Sequence, residues 1–203
     1  MKMKLFSSPA SPYARKVRVV AHELGLADQV DEIHVNPLEA PAELLAANPL
    51  SRIPTLITEK GEALPDSGLI VEYLMTRGSG LAPVPRGVKR WGALRRAEIA
   101  DGMTVAAVAY VLERRRPESI VYTPYLDRQT AVIRRAVAWL DVEATALKLD
   151  APGVIEIAVA TGLSYLDFRM PFLEWRAGHD ALANWHRAFC ERPSMQATQH
   201  PSK

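Results

Sequence analysis

An α/β domain followed by an all-helical one is the fold class this sequence predicts, and three observations predict it. Short apolar or β-branched runs alternate with helically spaced apolar positions over the first 77 residues. A glycine- and proline-rich stretch, "GSGLAPVPRG" at Gly78 to Gly87, then interrupts the pattern. Beyond it, no convincing strand pattern recurs. The expected organisation is a first domain over 1–77, a linker over 78–87 and a helical domain over 88–203.

Each element follows in order. Met3 to Ser7 is a short strand. Val17, Val20, Ala21 and Leu24 then recur at helical spacing, with Gly25 as the C-cap. Asp31 to Asn36 carries β-branched Ile33 and Val35 as a second strand, closed by Pro37, and Pro41 to Ala47 is a short helix. Thr55 to Thr58 and Ala63–Leu64 flank Gly61 as a hairpin. Asp66 or Ser67 caps a helix that holds Ile70, Val71, Tyr73 and Leu74. The order is β-α-β-α-β-β-α. In the second half, helices are expected over Val88 to Arg116, with a break near Gly102, and over Leu126 to Leu149. Shorter ones follow over Val154 to Ala160, Phe172 to Ala177 and Ala181 to Glu191.

Composition narrows the function classes. The 203 residues carry a net charge of +2, 48% hydrophobic and 24% charged residues, which is ordinary for a soluble globular chain and gives no global pull toward nucleic acid or membrane. Arg95–Arg96 and Arg114–Arg115–Arg116 are local basic clusters without aromatic interleaving. Cys190 is the single cysteine, so intrachain disulfides and dithiol chemistry are excluded, and it reads as a small apolar residue. The N-terminus lacks a signal peptide's apolar core and no segment is apolar enough to span a bilayer, so the expected location is the cytoplasm. His22, His34, His179, His186 and His200 form no metal-ligand pattern, and no Gly-rich phosphate loop opens a helix.

The chemistry concentrates at "SPASPYARKV", Ser8 to Val17. A serine before a proline starts a helix well, because its hydroxyl accepts from an orphan amide and the ring presets φ. The same arrangement, at the positive end of a helix, can also hold an anion such as a thiolate. Asp66–Ser67 poses the same pair of readings at a second helix start.

Together with that segment, "NPLSRIPTL" (Asn48 to Leu56), "LPDSGLIVEYL" (Leu64 to Leu74) and "AVATGLSYLDFR" (Ala158 to Arg169) resemble a bacterial glutathione S-transferase over essentially the whole chain. The resemblance implies a thioredoxin-like, glutathione-binding first domain followed by a helical domain. It implies a cytoplasmic detoxification enzyme, with glutathione as co-substrate, that adds the thiol to a small hydrophobic electrophile and forms a homodimer. No metal, nucleic-acid or membrane partner is implied. The rival reading is a non-enzymatic binding protein of the same fold, contacting partners through Arg114–Arg115–Arg116.

Residue by residue, the resemblance implies a cis Ile53–Pro54 bond that turns the Ile53 main chain toward the peptide ligand. Ser67 takes the γ-glutamyl carboxylate while Asp66 sets the charge pattern, and Asn36 and Pro37 add contacts after the second strand. Ser11 is the catalytic candidate, donating to the sulfur of glutathione, whose free thiol has a pKa of about 8.5. Tyr13, Trp91, Met103, Tyr110 and Arg114 are candidates for the electrophile pocket.

Departures from the family pattern matter. Ser8 is a second hydroxyl at the same junction, and the choice between it and Ser11 stays open. No cysteine occupies the site, which argues against disulfide exchange, and Phe6–Ser7 stand where tyrosine-type members carry their phenol. Arg15 and Lys16 either add positive potential or are solvated helix charges. Gly153 replaces the hydroxyl half of the capping box completed by Glu156.

Overall fold

The computed structural model describes residues 2–201, in two compact units. One runs through Leu81 and includes the residues from Arg192 onward; the other is Ala82–Glu191. The last segment, expected in the helical domain, therefore packs with the first.

In the first unit a four-stranded mixed sheet has the order β2-β1-β3-β4, built from β1 (Met3–Ser7), β2 (Val30–His34), β3 (Thr55–Ile57) and β4 (Ala63–Pro65). β1 pairs parallel with β2 and antiparallel with β3, and β3 pairs antiparallel with β4. Pro65 is tolerated because β4 is an edge strand. Helix α1 (Pro12–Glu23) ends as the apolar spacing requires: Gly25 at φ 68° donates its amide to the His22 carbonyl, and Val17, Val20, Ala21 and Leu24 are buried. Helices α2 (Ala42–Ala47) and α3 (Ser67–Met75) complete the β-α-β-α-β-β-α order, with α3 packed on α1.

Arg15 and Lys16 are not solvated. They are 4% and 7% exposed, and Arg15 donates to the Met195 carbonyl at 3.2 Å in the short helix α8 (Pro193–Ala197), an element the sequence reading missed. Arg192 pairs with Glu23 at 2.8 Å, and Ser194 donates to the same carboxylate. Two of the glycines of the expected linker have packing roles. A Cβ on Gly78 or Gly80 would come within 2.7 or 2.6 Å of backbone oxygens of Leu24 and Glu23.

The second unit holds α4 (Val88–Arg114), α5 (Thr123–Val142), α6 (Val154–Arg169) and α7 (Asp180–Cys190). α4 runs unbroken through Gly102, since one glycine costs only about 1 kcal/mol and Ala100, Met103, Thr104 and Ala107 around it are buried. α5 stops before the expected Leu149. A 3-10 turn at Ala144–Ala146 carries the apolar stripe on, so Ala144 and Leu147 remain buried. α6 extends well past Ala160, with Ile155 to Leu166 all buried, and Gly162 lies close against α4: an added Cβ would lie 2.7 Å from Thr104 Oγ1. Phe172 to Ala177 is not a helix. A 3-10 turn at Pro171–Leu173 is followed by turns closing at Gly178, φ 78°.

Glu156 accepts from the Gly153 amide at 2.8 Å and the Lys148 amide at 3.3 Å. The missing hydroxyl at Gly153 has a steric cause. Ala82 forms a parallel bridge with Gly153, and an added Cβ would sit 2.8 Å from the Ala82 carbonyl oxygen.

Candidate active site at one end of the sheet

Strand register decides which residues meet. Ser7 lies opposite His34, so the chain beyond β1 and the chain beyond β2 leave the sheet at the same end. Phe6 pairs with Thr55 and Thr55 with Pro65, which brings Ile53–Pro54, entering β3, and Asp66–Ser67, leaving β4, to that end too. Ser8–Ser11, Asn36–Pro37, Ile53–Pro54 and Asp66–Ser67 thus gather from four separate segments, together with the N-termini of α1 and α3.

Ser11 is the N-cap of α1, in extended conformation (φ −82°, ψ 123°), and its Oγ accepts from the Ala14 amide at 3.2 Å. Pro12 follows at the first helical position, as both readings of Ser-Pro require. Ser8 Oγ accepts from the Ala10 amide at a longer 3.4 Å, and Ser11 N–H donates to the Ser8 carbonyl at 2.9 Å, closing the turn. Ser7, buried at the end of β1, donates to Glu32 at 3.1 Å and so faces its neighbouring strand. Tyr13 is half-buried in the first turn of α1.

Asp66 caps α3 in an uncommon backbone state, φ 73° and ψ 138°. Such a conformation in a non-glycine residue costs roughly 1–3 kcal/mol and persists only when its surroundings enforce it. Here the carboxylate accepts from the Gly68 amide at 2.7 Å, and a Cβ on Gly68 would lie only 3.1 Å from that oxygen, so glycine leaves the cap room. Ser67, at the first helical position, is buried, while the Asp66 carboxylate is exposed. First-turn amides have no intrahelical partners, so the α3 terminus offers donors beside an acid.

The Ile53–Pro54 bond is cis, as the resemblance implies. Its loop is held by a residue to which sequence reasoning gave no role. Asn48, fully buried, donates to the Arg52 carbonyl at 3.1 Å and Thr55 Oγ1 at 2.9 Å, and accepts from the Leu50 amide at 2.9 Å. The signal was present in the Asn-Pro pair opening "NPLSRIPTL", since a buried amide beside a turn must satisfy its own donors. Ser51 donates to the Pro37 carbonyl at 3.3 Å, tying this loop to the one after β2. There Asn36 accepts from the Leu38 amide at 3.1 Å and donates to Glu39 at 2.8 Å.

The candidates on the helical unit do not form one group. Met103 is 0% exposed and packs near Gly162 in the core. Trp91 is 69% exposed, and at 1.5 Å per residue it stands roughly 28 Å along α4 from Tyr110. Tyr110 and Arg114 share one cleft with Val111, Arg115, Arg169 and Phe172. The expectation for Cys190 changes as well. His186 is buried, 3.0 Å from Ser164 Oγ and 3.4 Å from Cys190 Sγ, so Cys190 sits in a polar network rather than plain apolar packing. Among the described residues no group of His, Cys, Asp or Glu could hold a metal ion, and no helix is long and apolar enough to cross a membrane.

Residues 5–80 match the model of the glutathione S-transferase N-terminal domain, and residues 123–188 that of the C-terminal domain. The GST-like protein YibF of Escherichia coli K12, itself uncharacterized, is 32% identical over 98% of this chain and 99% of its own length. A crystal structure of a glutathione transferase family member from Pseudomonas fluorescens Pf-5 with bound glutathione superposes with a TM-score of 0.91, at 39% identity, covering 99% of this chain and 100% of that one. A second structure from that organism, with bound S-(propanoic acid)-glutathione, gives 0.88 at 39% identity, covering 100% and 99%. A glutathione S-transferase of Methylobacillus flagellatus with glutathione bound gives 0.86 at 35% identity, covering 98% and 100%. With both domain models matched in order and relatives aligned end to end, this chain belongs to the glutathione S-transferase family.

Proposed function

We propose that the protein binds glutathione at this end of the sheet and holds its sulfur as a thiolate beside Ser11 for attack on a small electrophile. The observation that carries the reading is the register. It collects two helix N-termini, an exposed carboxylate and a cis-proline loop at one place. Relatives aligned over the full chain hold glutathione, which supports it.

Each residue takes a role that its contacts leave open. A serine hydroxyl has one donor and two acceptor positions. Ser11 uses an acceptor for Ala14, so its hydrogen can go to sulfur, and the α1 terminus adds a field that favours the anion. Ser11 is preferred to Ser8 because it is the N-cap, aligned with the helix start. Ile53 pairs by its main chain with the extended tripeptide, with Pro54 fixing its direction. Ser67 and the first amides of α3 take the γ-glutamyl carboxylate, and Asp66 takes the ammonium beside it. Asn36 and Pro37 flank the other end of the peptide. The thiol proton leaves to solvent, and the sulfur lone pair forms the new bond. The protein acts as a homodimer, which sedimentation at working concentration tests.

The decisive comparison is wild type against Ser11→Ala, by calorimetry with glutathione, by conjugation rate, and by ultraviolet absorbance of the bound thiolate against pH. The variant should lose ~10²–10³ in kcat, in line with removal of a positioned donor, and its bound thiol should titrate at higher pH. Full turnover with a stability loss of only about 0.5–2 kcal/mol would reduce Ser11 to a helix cap. Glutathione binding without turnover toward any electrophile would favour a non-enzymatic role.

A further inference from the structure

The cleft at the C-terminal end of α4 has a composition that the reading above does not explain. Tyr110 and Arg114 lie one helical turn apart, as do Val111 and Arg115, so the four share a face. Arg169, the last residue of α6, and Phe172 close the opposite side, around a volume of about 460 Å³. Three guanidinium groups line this space and no carboxylate does. The adjacent acid, Glu113, is engaged elsewhere, paired with Arg116 at 3.2 Å and accepting from the Tyr122 amide at 2.9 Å.

Cations do gather at helix C-termini, and both α4 and α6 end here. The magnitudes decide whether that suffices. Two helix ends supply together about one negative charge, against three positive ones, so roughly two charges remain uncompensated. Their field extends inward. Burial pushes the Tyr165 phenol up, while Arg169 and Arg115 partly offset it, with Arg169 also hydrogen-bonding to it. The apolar side of the cleft is equally open. The Tyr110 and Phe172 rings stand 5.7 Å apart at 37°, and Phe172 is 57% exposed. A cationic rim beside an unfilled aromatic wall fits a ligand with one anionic end and a flat apolar body.

We infer that this cleft binds an organic acid through its carboxylate, with the ring or chain of the acid against Tyr110 and Phe172.

A matched pair of aryl ligands tests this with the full-length protein. 4-Chloro-3-nitrobenzoate and 4-chloro-3-nitrobenzamide have nearly the same shape and differ in charge. Calorimetry without glutathione should show the acid binding about tenfold tighter than the amide, the value of one charge-assisted contact. That preference should shrink in Arg114→Gln, Arg115→Gln and Arg169→Gln and weaken with salt. Phe172→Ala should weaken both ligands alike, which separates loss of the wall from loss of charge. Equal binding of acid and amide, or a preference that survives all three arginine variants, overturns the inference.

Discussion

The start of α6 and the starts of α1 and α3 solve the same electrostatic problem in opposite ways. At α6, Glu156 is buried and turns back to accept from the Gly153 and Lys148 amides, while Ala82 lies against the glycine, so the chain itself occupies the approach to this terminus. At α1 and α3, Ser11 and Asp66 each accept a single amide, and both termini open on the same end of the sheet. A helix N-terminus becomes a binding site where it stays open to an outside partner, and a structural joint where the chain's own residues pack against it.

The comparison can be broken from either side. The largest expected effect is the loss in kcat for Ser11→Ala, which exceeds the roughly 0.5–2 kcal/mol of stability that loss of its cap on the Ala14 amide costs. Next, Gly153→Ser would seem to complete the α6 capping box, yet it should destabilise the protein. The cap adds only a few tenths of a kcal/mol over glycine, whereas the Cβ would press to 2.8 Å from a backbone oxygen, and overpacking of that kind costs about 1–3 kcal/mol. Denaturant unfolding checks the sign, and retained glutathione affinity would show that this terminus is structural only.

At the other end of α1, Glu23→Gln should cost about 1.5 kcal/mol, the low end for a hydrogen bond to a charged group, since Arg192 is partly exposed. Hydrogen bonding from Arg192 holds the Glu23 carboxyl below its usual range against the opposing effect of burial, with Ser194 and the Arg192 charge assisting. A carboxylate whose folded pKa is depressed stabilises the fold fully above its unfolded pKa of about 4.3, and that contribution disappears as pH falls through the folded value. The difference in Tm between wild type and variant should therefore be constant near neutrality and close in acid. The smallest effect is for Asp66→Asn, which keeps an oxygen for the Gly68 amide but removes the charge: glutathione affinity should fall about tenfold with Tm nearly unchanged. A large drop in Tm instead would make Asp66 a second sealed cap.

The element order was readable in the sequence because apolar spacing changes period at each junction, and the opening, cis-proline and Asp-Ser segments carried the site. What brings them together was not. The strands β3 and β4 have three residues each, too few for alternation to fix a register, and it is the register that places Ile53 beside Asp66. α6 was read too short because helical period vanishes when every face is buried. Phe172 to Ala177 has the apolar content of a helix, but Leu173 and Trp175 are buried from a 3-10 turn and the turns after it. Gly153 made sense only once Ala82, far away in the chain, lay against it. Asn48 went without a role because one buried amide leaves no periodic trace.

The residues from Arg192 onward belong to the first unit, where Met195 receives the Arg15 guanidinium and Arg192 meets Glu23. On the ribosome, the opening domain therefore waits for nearly the whole chain to emerge before its first helix gains these partners. Domains that fold as they are synthesised normally finish in sequence order. Here the domain made before the helical unit is completed after it, and a nascent chain stalled short of Arg192 would lack the Met195 carbonyl to which Arg15 donates.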